Sequence, residues 1–136
     1  ASEDVGLADP MALVIAQNTA AAVDRVGLPE ADIILGEAVI YLASAPKSNS
    51  SYLGIRAALK AVEAGDLMEV PYHLRNDGEG YIYPHDSPGH WVPQAYLPEQ
   101  RRFYHPGKLG AEARMRERLK LFWKRFAEDT EDGQEA

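Results

Sequence analysis

A chain of 136 residues and 15.0 kDa with a net charge of −7 suits one domain. A hydrophobic share of 46% and a charged share of 26% exclude wholesale disorder, and the lack of cysteine excludes disulfides, thiolate metal sites and cysteine nucleophiles. No apolar run approaches the roughly 20 residues of a spanning helix, so no membrane partner is expected. The charge is segregated: residues 1–100 hold 5 basic and 14 acidic side chains, residues 101–125 hold 9 and 2, and residues 126–136 hold 5 acids alone. An acidic body repels phosphate, so indiscriminate nucleic-acid binding is excluded and the short basic block is the one place an anion could dock.

Asp9-Pro10 is a helix start, because Asp accepts from free backbone N–H groups and Pro needs no donor in the first turn. The spacing of Met11, Ile15, Ala22 and Val26 predicts a helix over 11–26, closed by Gly27. Ala16 and Ala20–Ala22 are thin enough for a neighbouring helix to come close. A second helix is expected from Pro29 to just before Pro46, apolar nearly all round from Ile33 to Leu42 and therefore central. Ser48–Ser51 offers a cap for a third, Tyr52 to about Ala64, with a stripe of Tyr52, Ile55, Leu59 and Val62. Short links favour antiparallel neighbours.

Between Val70 and Gly107 lie six of the nine prolines and seven of the twelve aromatic residues. Proline breaks ladders and helices while aromatics demand burial, so this stretch reads as an ordered, extended wrap, with a short strand pair at Tyr81–Tyr83. A last helix is expected over about 111–128, with Met115, Leu119, Phe122 and Phe126 in one stripe, and Asp129–Ala136 as a frayed acidic end. The expectation is all-α: a bundle of three main helices and a C-terminal helix in one domain over residues 1–128.

No Gly-x-x-x-x-Gly-Lys-Ser/Thr occurs, so these residues offer no loop to cradle a nucleotide's phosphates, and neither a catalytic residue nor a bound cofactor or metal is expected. His73, His85, His90 and His105 lack the i, i+4 helical pairing of a metal site, and no nucleophile is aimed at a His85–Asp86 pair. We read them as loop ties. The aromatic residues of the wrap, interleaved with Arg101, Arg102 and Lys108, read as its glue rather than a stacking platform for bases. Met115, Leu119, Phe122, Trp123 and Phe126 present more apolar surface than one core contact needs and are a candidate subunit interface. Arg101, Arg102, Lys108, Arg114, Arg118 and Lys124 are candidate nucleic-acid contacts.

Several runs carry a resemblance: residues 1–10, Tyr41-Leu42-Ala43-Ser44-Ala45-Pro46-Lys47-Ser48-Asn49-Ser50, Val70-Pro71-Tyr72-His73-Leu74-Arg75, Gly80-Tyr81-Ile82-Tyr83-Pro84-His85-Asp86 and Tyr96-Leu97-Pro98-Glu99. Together they resemble the C-terminal region of the RarA/MgsA replication-associated recombination ATPases, relatives of the Werner-helicase-interacting protein. The resemblance implies an all-helical, clamp-loader-collar-like domain that assembles an AAA+ protein into a homotetramer. It implies ATP and Mg in the ATPase part, DNA at stalled forks, partners such as single-strand-binding protein, and a cytoplasmic, nucleoid-associated location. On this reading Ala1 marks a cut inside a longer protein. One departure stands out: only Asn76–Glu79 join Arg75 to Gly80, where the family usually has a longer loop containing glycine and lysine.

The function expected is thus an oligomerisation domain without chemistry of its own, and the alternative is a nucleic-acid contact through the basic last helix. A hydrolase built on His85 and Asp86 ranks behind both.

Overall fold

The computed structural model describes residues 1–127; the expected acidic end lies outside them. Five helices form, α1 (Met11–Val26), α2 (Ala31–Ser44), α3 (Ser50–Glu63), α4 (Gly110–Phe122) and α5 (Lys124–Ala127), and no strand occurs among the described residues. The domain is all-α, as its periodicities imply.

Asp9 starts α1 as its chemistry predicts: its Oδ1 accepts from the Met11 N–H at 3.1 Å. Its Oδ2 accepts from the Tyr41 hydroxyl on α2 at 2.6 Å, so one carboxylate both caps a helix and holds the next one. That contact to Asp9 also raises the Tyr41 hydroxyl's pKa. Gly27 (φ 74°) ends α1, and α2 begins at Ala31, two residues after Pro29, which precedes the helix instead of opening it. α1 and α2 pack together through thin side chains; Ala12 on α1 and Ala31 and Ala38 on α2 are all buried.

The N-terminal segment lies at the centre. Val5, Ala12 and Ala45 form a small cluster with Leu42 against it, and the 3₁₀ turn Gly6–Ala8 contacts both α3 and α4. The start of α4 is fixed by this turn. Gly110 has φ +55°, and a Cβ there would stand 2.0 Å from the Ala8 carbonyl oxygen.

Two expectations about placement fail. α2 was expected at the centre, but Ile33, Val39 and Ile40 are 76%, 64% and 71% exposed. α3 does not lie antiparallel on α2; it packs on the Gly6–Ala8 turn and on the wrap, where Gly54 sits against the backbone of Phe103 and Tyr104. Its small side faces inward and its apolar stripe faces out. The physical reason is one of size. The buried residues of α1–α3 are Ala12, Ala31, Ala38, Ser50 and Gly54, whose short or absent side chains bring the backbones close and leave little room between helices for larger ones.

The expected strand pair at Tyr81–Tyr83 is also absent. Gln94 takes the place of a partner strand: its Oε1 accepts from the Ile82 N–H at 3.2 Å and its Nε2 donates to the Ile82 carbonyl at 2.8 Å. The short Asn76–Glu79 link is a tight turn off the 3₁₀ turn Tyr72–Leu74, and a Cβ on Gly78 would sit 1.7 Å from the Tyr72 carbonyl oxygen. The last helix breaks at Trp123 (φ −126°, ψ 108°) into α4 and α5. The break turns Phe126 inward, where it is 6% exposed.

Gly110→Ala is expected to lower stability by at least about 2 kcal/mol, since it adds a left-handed alanine to a backbone collision. A chemical-denaturation midpoint unchanged from the parent chain would show that α4 does not start where described.

Candidate assembly surface

The interior is organised by a charged group. Glu112, in the first turn of α4, is fully buried and is the largest side chain so enclosed. Its Oε1 accepts from the Ser50 hydroxyl at the first turn of α3 and from the Tyr104 hydroxyl in the wrap, the latter at 2.8 Å. Ser48 orders the same corner, its Oγ accepting from the Ser50 N–H at 3.3 Å. Burial pushes the Glu112 carboxyl upward, but hydrogen bonding with Ser48, Ser50, Tyr104 and the Gly107 backbone outweighs it and holds the pKa below the ordinary value. Tyr104 moves the other way: burial, then the Glu112 carboxylate, raise its hydroxyl well above 10. A negative charge at the start of two helices is also favoured by both helix dipoles. This is a structural lock that ties α3, α4 and the wrap together.

Around α4 and α5 the apolar and cationic residues are interleaved. Trp91 of the wrap lies 5.7 Å from the Phe122 ring and meets Trp123 edge-on at 5.8 Å; Tyr96 meets Trp123 at 6.2 Å. Arg102 lies over Phe126 at 4.5 Å, Arg125 over Trp123 at 4.6 Å and Arg118 over Phe122 at 5.1 Å. Of the candidate interface residues, Phe126 is buried and Met115, Leu119, Phe122 and Trp123 are partly buried. Of the candidate nucleic-acid contacts, Arg101 bonds Asp66 at 3.1 Å and Glu99 at 3.3 Å, and Arg102 donates to the Arg125 carbonyl at 2.9 Å. Lys108, Arg114, Arg118 and Lys124 are exposed.

Helices α2 and α3 carry an open apolar surface, although α2 was expected at the centre. On α3, Tyr52, Ile55, Leu59 and Val62 are 42–56% exposed along one stripe. On α2, Ile33 and Ile40 point away from α1, with Gly36 between them, where a Cβ would meet nothing within 4 Å. A glycine inside a helix costs about 1 kcal/mol relative to alanine, so its presence with no close neighbour has no explanation within this chain. Amphipathic spacing located these stripes; it did not say whether this chain covers them.

The total accessible surface is 10334 Å². A folded chain of this mass ordinarily exposes about 7,000 Å². Allowing about 1,400 Å² for the nine residues outside the described range, the maximum for that mass, leaves a surplus of roughly 2,000 Å². The surplus matches what an obligate subunit contact buries.

Other features offer less. A hollow of about 480 Å³ is lined by Asp66, Leu67, Glu69, Pro71, Arg75 and Arg101, and its arginines are already paired, Arg75 with Glu69 at 2.9 Å and Arg101 with Asp66. The His85 ring stacks at 4.9 Å on His90 and 5.1 Å on Tyr83. Among the described residues no three His, Asp or Glu side chains converge as metal ligands, and no helix is long and apolar enough to cross a membrane.

The fold and the site together define an all-α domain with a polar lock, a small-residue interior and open apolar faces. Residues 1–123 match the family of MgsA AAA+ ATPase C-terminal domains, and the chain belongs to that family. It is 46% identical to an uncharacterized Thermotoga maritima protein over 90% of this chain and 22% of that one. It is 38% identical to the replication-associated recombination protein A of Coxiella burnetii (91% of this chain, 31% of that one) and 41% identical to that of Bacillus subtilis (81% and 29%). The chain thus spans less than a third of the length of these relatives.

Glu112→Gln is expected to lower stability at neutral pH by about 1–3 kcal/mol, because the charge-assisted bonds from Ser50 and Tyr104 are lost. A depressed carboxyl pKa contributes stability above the ordinary value near 4.5 and loses it as pH falls below. The parent chain should therefore lose stability on acidification below about pH 4.5 more steeply than the Gln variant. Parallel denaturation curves of the two from pH 7 to 3 would refute the lock.

Proposed function

We propose that this domain is the assembly module of a replication-associated recombination ATPase, joining subunits into a homo-oligomer, with a tetramer as the expected state. The observation that carries this reading is the surplus of roughly 2,000 Å² of accessible surface, together with the apolar faces of α2 and α3 that their own chain leaves open. The longer protein would bind ATP and Mg and act on DNA in the cytoplasm. The role of these 136 residues would be to hold ATPase subunits in register, which needs shape complementarity and no reactive group.

Multi-angle light scattering of this chain at tens of micromolar should give a multiple of 15.0 kDa, with four copies expected. A strict monomer at that concentration would sink the proposal.

A second reading rests on the four exposed cations Lys108, Arg114, Arg118 and Lys124, which lie on or beside α4. In an assembled ring they would repeat once per subunit and present several positive strips to a phosphate backbone. Replacing Arg114, Arg118 and Lys124 should then reduce the slope of log affinity for DNA against log salt by about 2–3 per domain engaged. An unchanged slope would leave these residues as solvated charge.

A further inference from the structure

Resting on the assembly reading, we infer that one contact of the oligomer is an antiparallel pairing of α2 with α2 of a second copy, two-fold symmetric about Ala38. The face concerned is the one turned away from α1. Ala31 and Ala38 are buried, whereas Ile33, Gly36, Ile40 and Ala43 are exposed. At 100° per residue, Ile33, Gly36, Ile40 and Ala43 recur at i, i+3, i+7 and i+10 and share one side of the helix.

Size alternates along that side, with isoleucine, glycine, isoleucine, alanine in turn. When two copies of one helix run antiparallel, choosing a single opposed pair fixes every other pair. Setting Ile40 against the second copy's Gly36 automatically sets Ile33 against the second copy's Ala43, and the two-fold repeats both fits. Each large side chain then enters a gap left by a small one, and the helix axes come closer than two rows of isoleucine would allow. The glycine without an internal neighbour thereby acquires a reason: it is the gap that receives Ile40. In this register Asp32 falls beside Ser44 and Glu37 beside Val39, so no acid is set directly opposite another.

The choice of a second copy as occupant follows from this fit of the face to itself and from area. A standard interface removes about 800 Å² from each partner, less than half of the surplus estimated above. The pairing therefore leaves the α3 stripe of Tyr52, Ile55, Leu59 and Val62 free for a second contact. Two separate faces on one chain are what a tetramer of dihedral symmetry requires.

The absence of cysteine makes the register directly testable. A mixture of Gly36→Cys and Ile40→Cys chains should form the mixed disulfide under mild oxidation roughly tenfold faster than a mixture of Gly36→Cys and Leu59→Cys chains, because a bridge needs Cα atoms within about 7 Å. Ile40→Glu and Gly36→Leu, both at exposed positions, should reduce the mass measured by light scattering to about half that of the parent, with helical circular dichroism retained. If the parent is oligomeric but both variants keep its mass and the 36–40 bridge forms no faster than the 36–59 control, the α2 pairing is wrong while the assembly reading stands. A monomeric parent removes both. Protection of Ile40→Cys from a maleimide in a monomeric chain would assign the face to another segment of the same protein and overturn the pairing.

Discussion

The burial of one carboxylate governs how this chain is put together. Glu112 sits where the first turns of α3 and α4 meet the wrap, and it accepts from a serine on one and a tyrosine on the other. Removing a charge from water costs several kcal/mol, and the two hydroxyl donors on Oε1 offset part of it, while Oε2 has no hydrogen-bond partner among the described residues. Those two bonds force residues 48–50, 104–107 and 110–112, distant in sequence, into one fixed corner. The corner in turn presses the start of α4 onto Ala8, and through that turn it positions the N-terminal segment under α3. Much of the architecture is a set of light helices hung from a polar knot.

The lightness has its own logic. Alanine and glycine at the internal contacts give close approach with no side-chain entropy to lose, but they also bury little apolar area per residue. The large aliphatic side chains are then available for the outside. The division of labour runs along α2 and α3: the buried residues are thin, and the most exposed apolar ones are bulky. Around α4 and α5 the reverse holds. Aromatic rings and guanidinium groups stack into a local cluster in which Arg102, Arg118 and Arg125 each face a ring.

How much of this was legible in sequence follows from the kind of signal each feature sends. The bounds of α1 were readable, because Asp9-Pro10 and Gly27 are local instructions that need no tertiary context. The stripe on α3 was readable as a stripe, but spacing reports only which side is apolar, and the residue that covers it can belong to another chain. The break at Trp123 gave no warning, since no Pro or Gly marks it; tertiary stacking on Trp91 and Tyr96 accompanies it. Glu112 sends almost no such signal, because an acid in the first turn of a helix usually faces water and serves the dipole. Its one distinguishing sign was being one of two acids within an otherwise basic block. The resemblance to a known family carried the functional expectation further than any of these patterns could.

The clasp between Gln94 and Ile82 has a consequence for solubility. Residues 81–83, Tyr-Ile-Tyr, are extended, strongly β-prone and uncharged, and such a segment is a template onto which a stray chain can add a strand. The amide of Gln94 occupies both the donor and the acceptor of Ile82, the two groups an incoming strand would need first. A single side chain thus acts as a stopper on an edge, sparing the wrap from building a sheet of its own for protection.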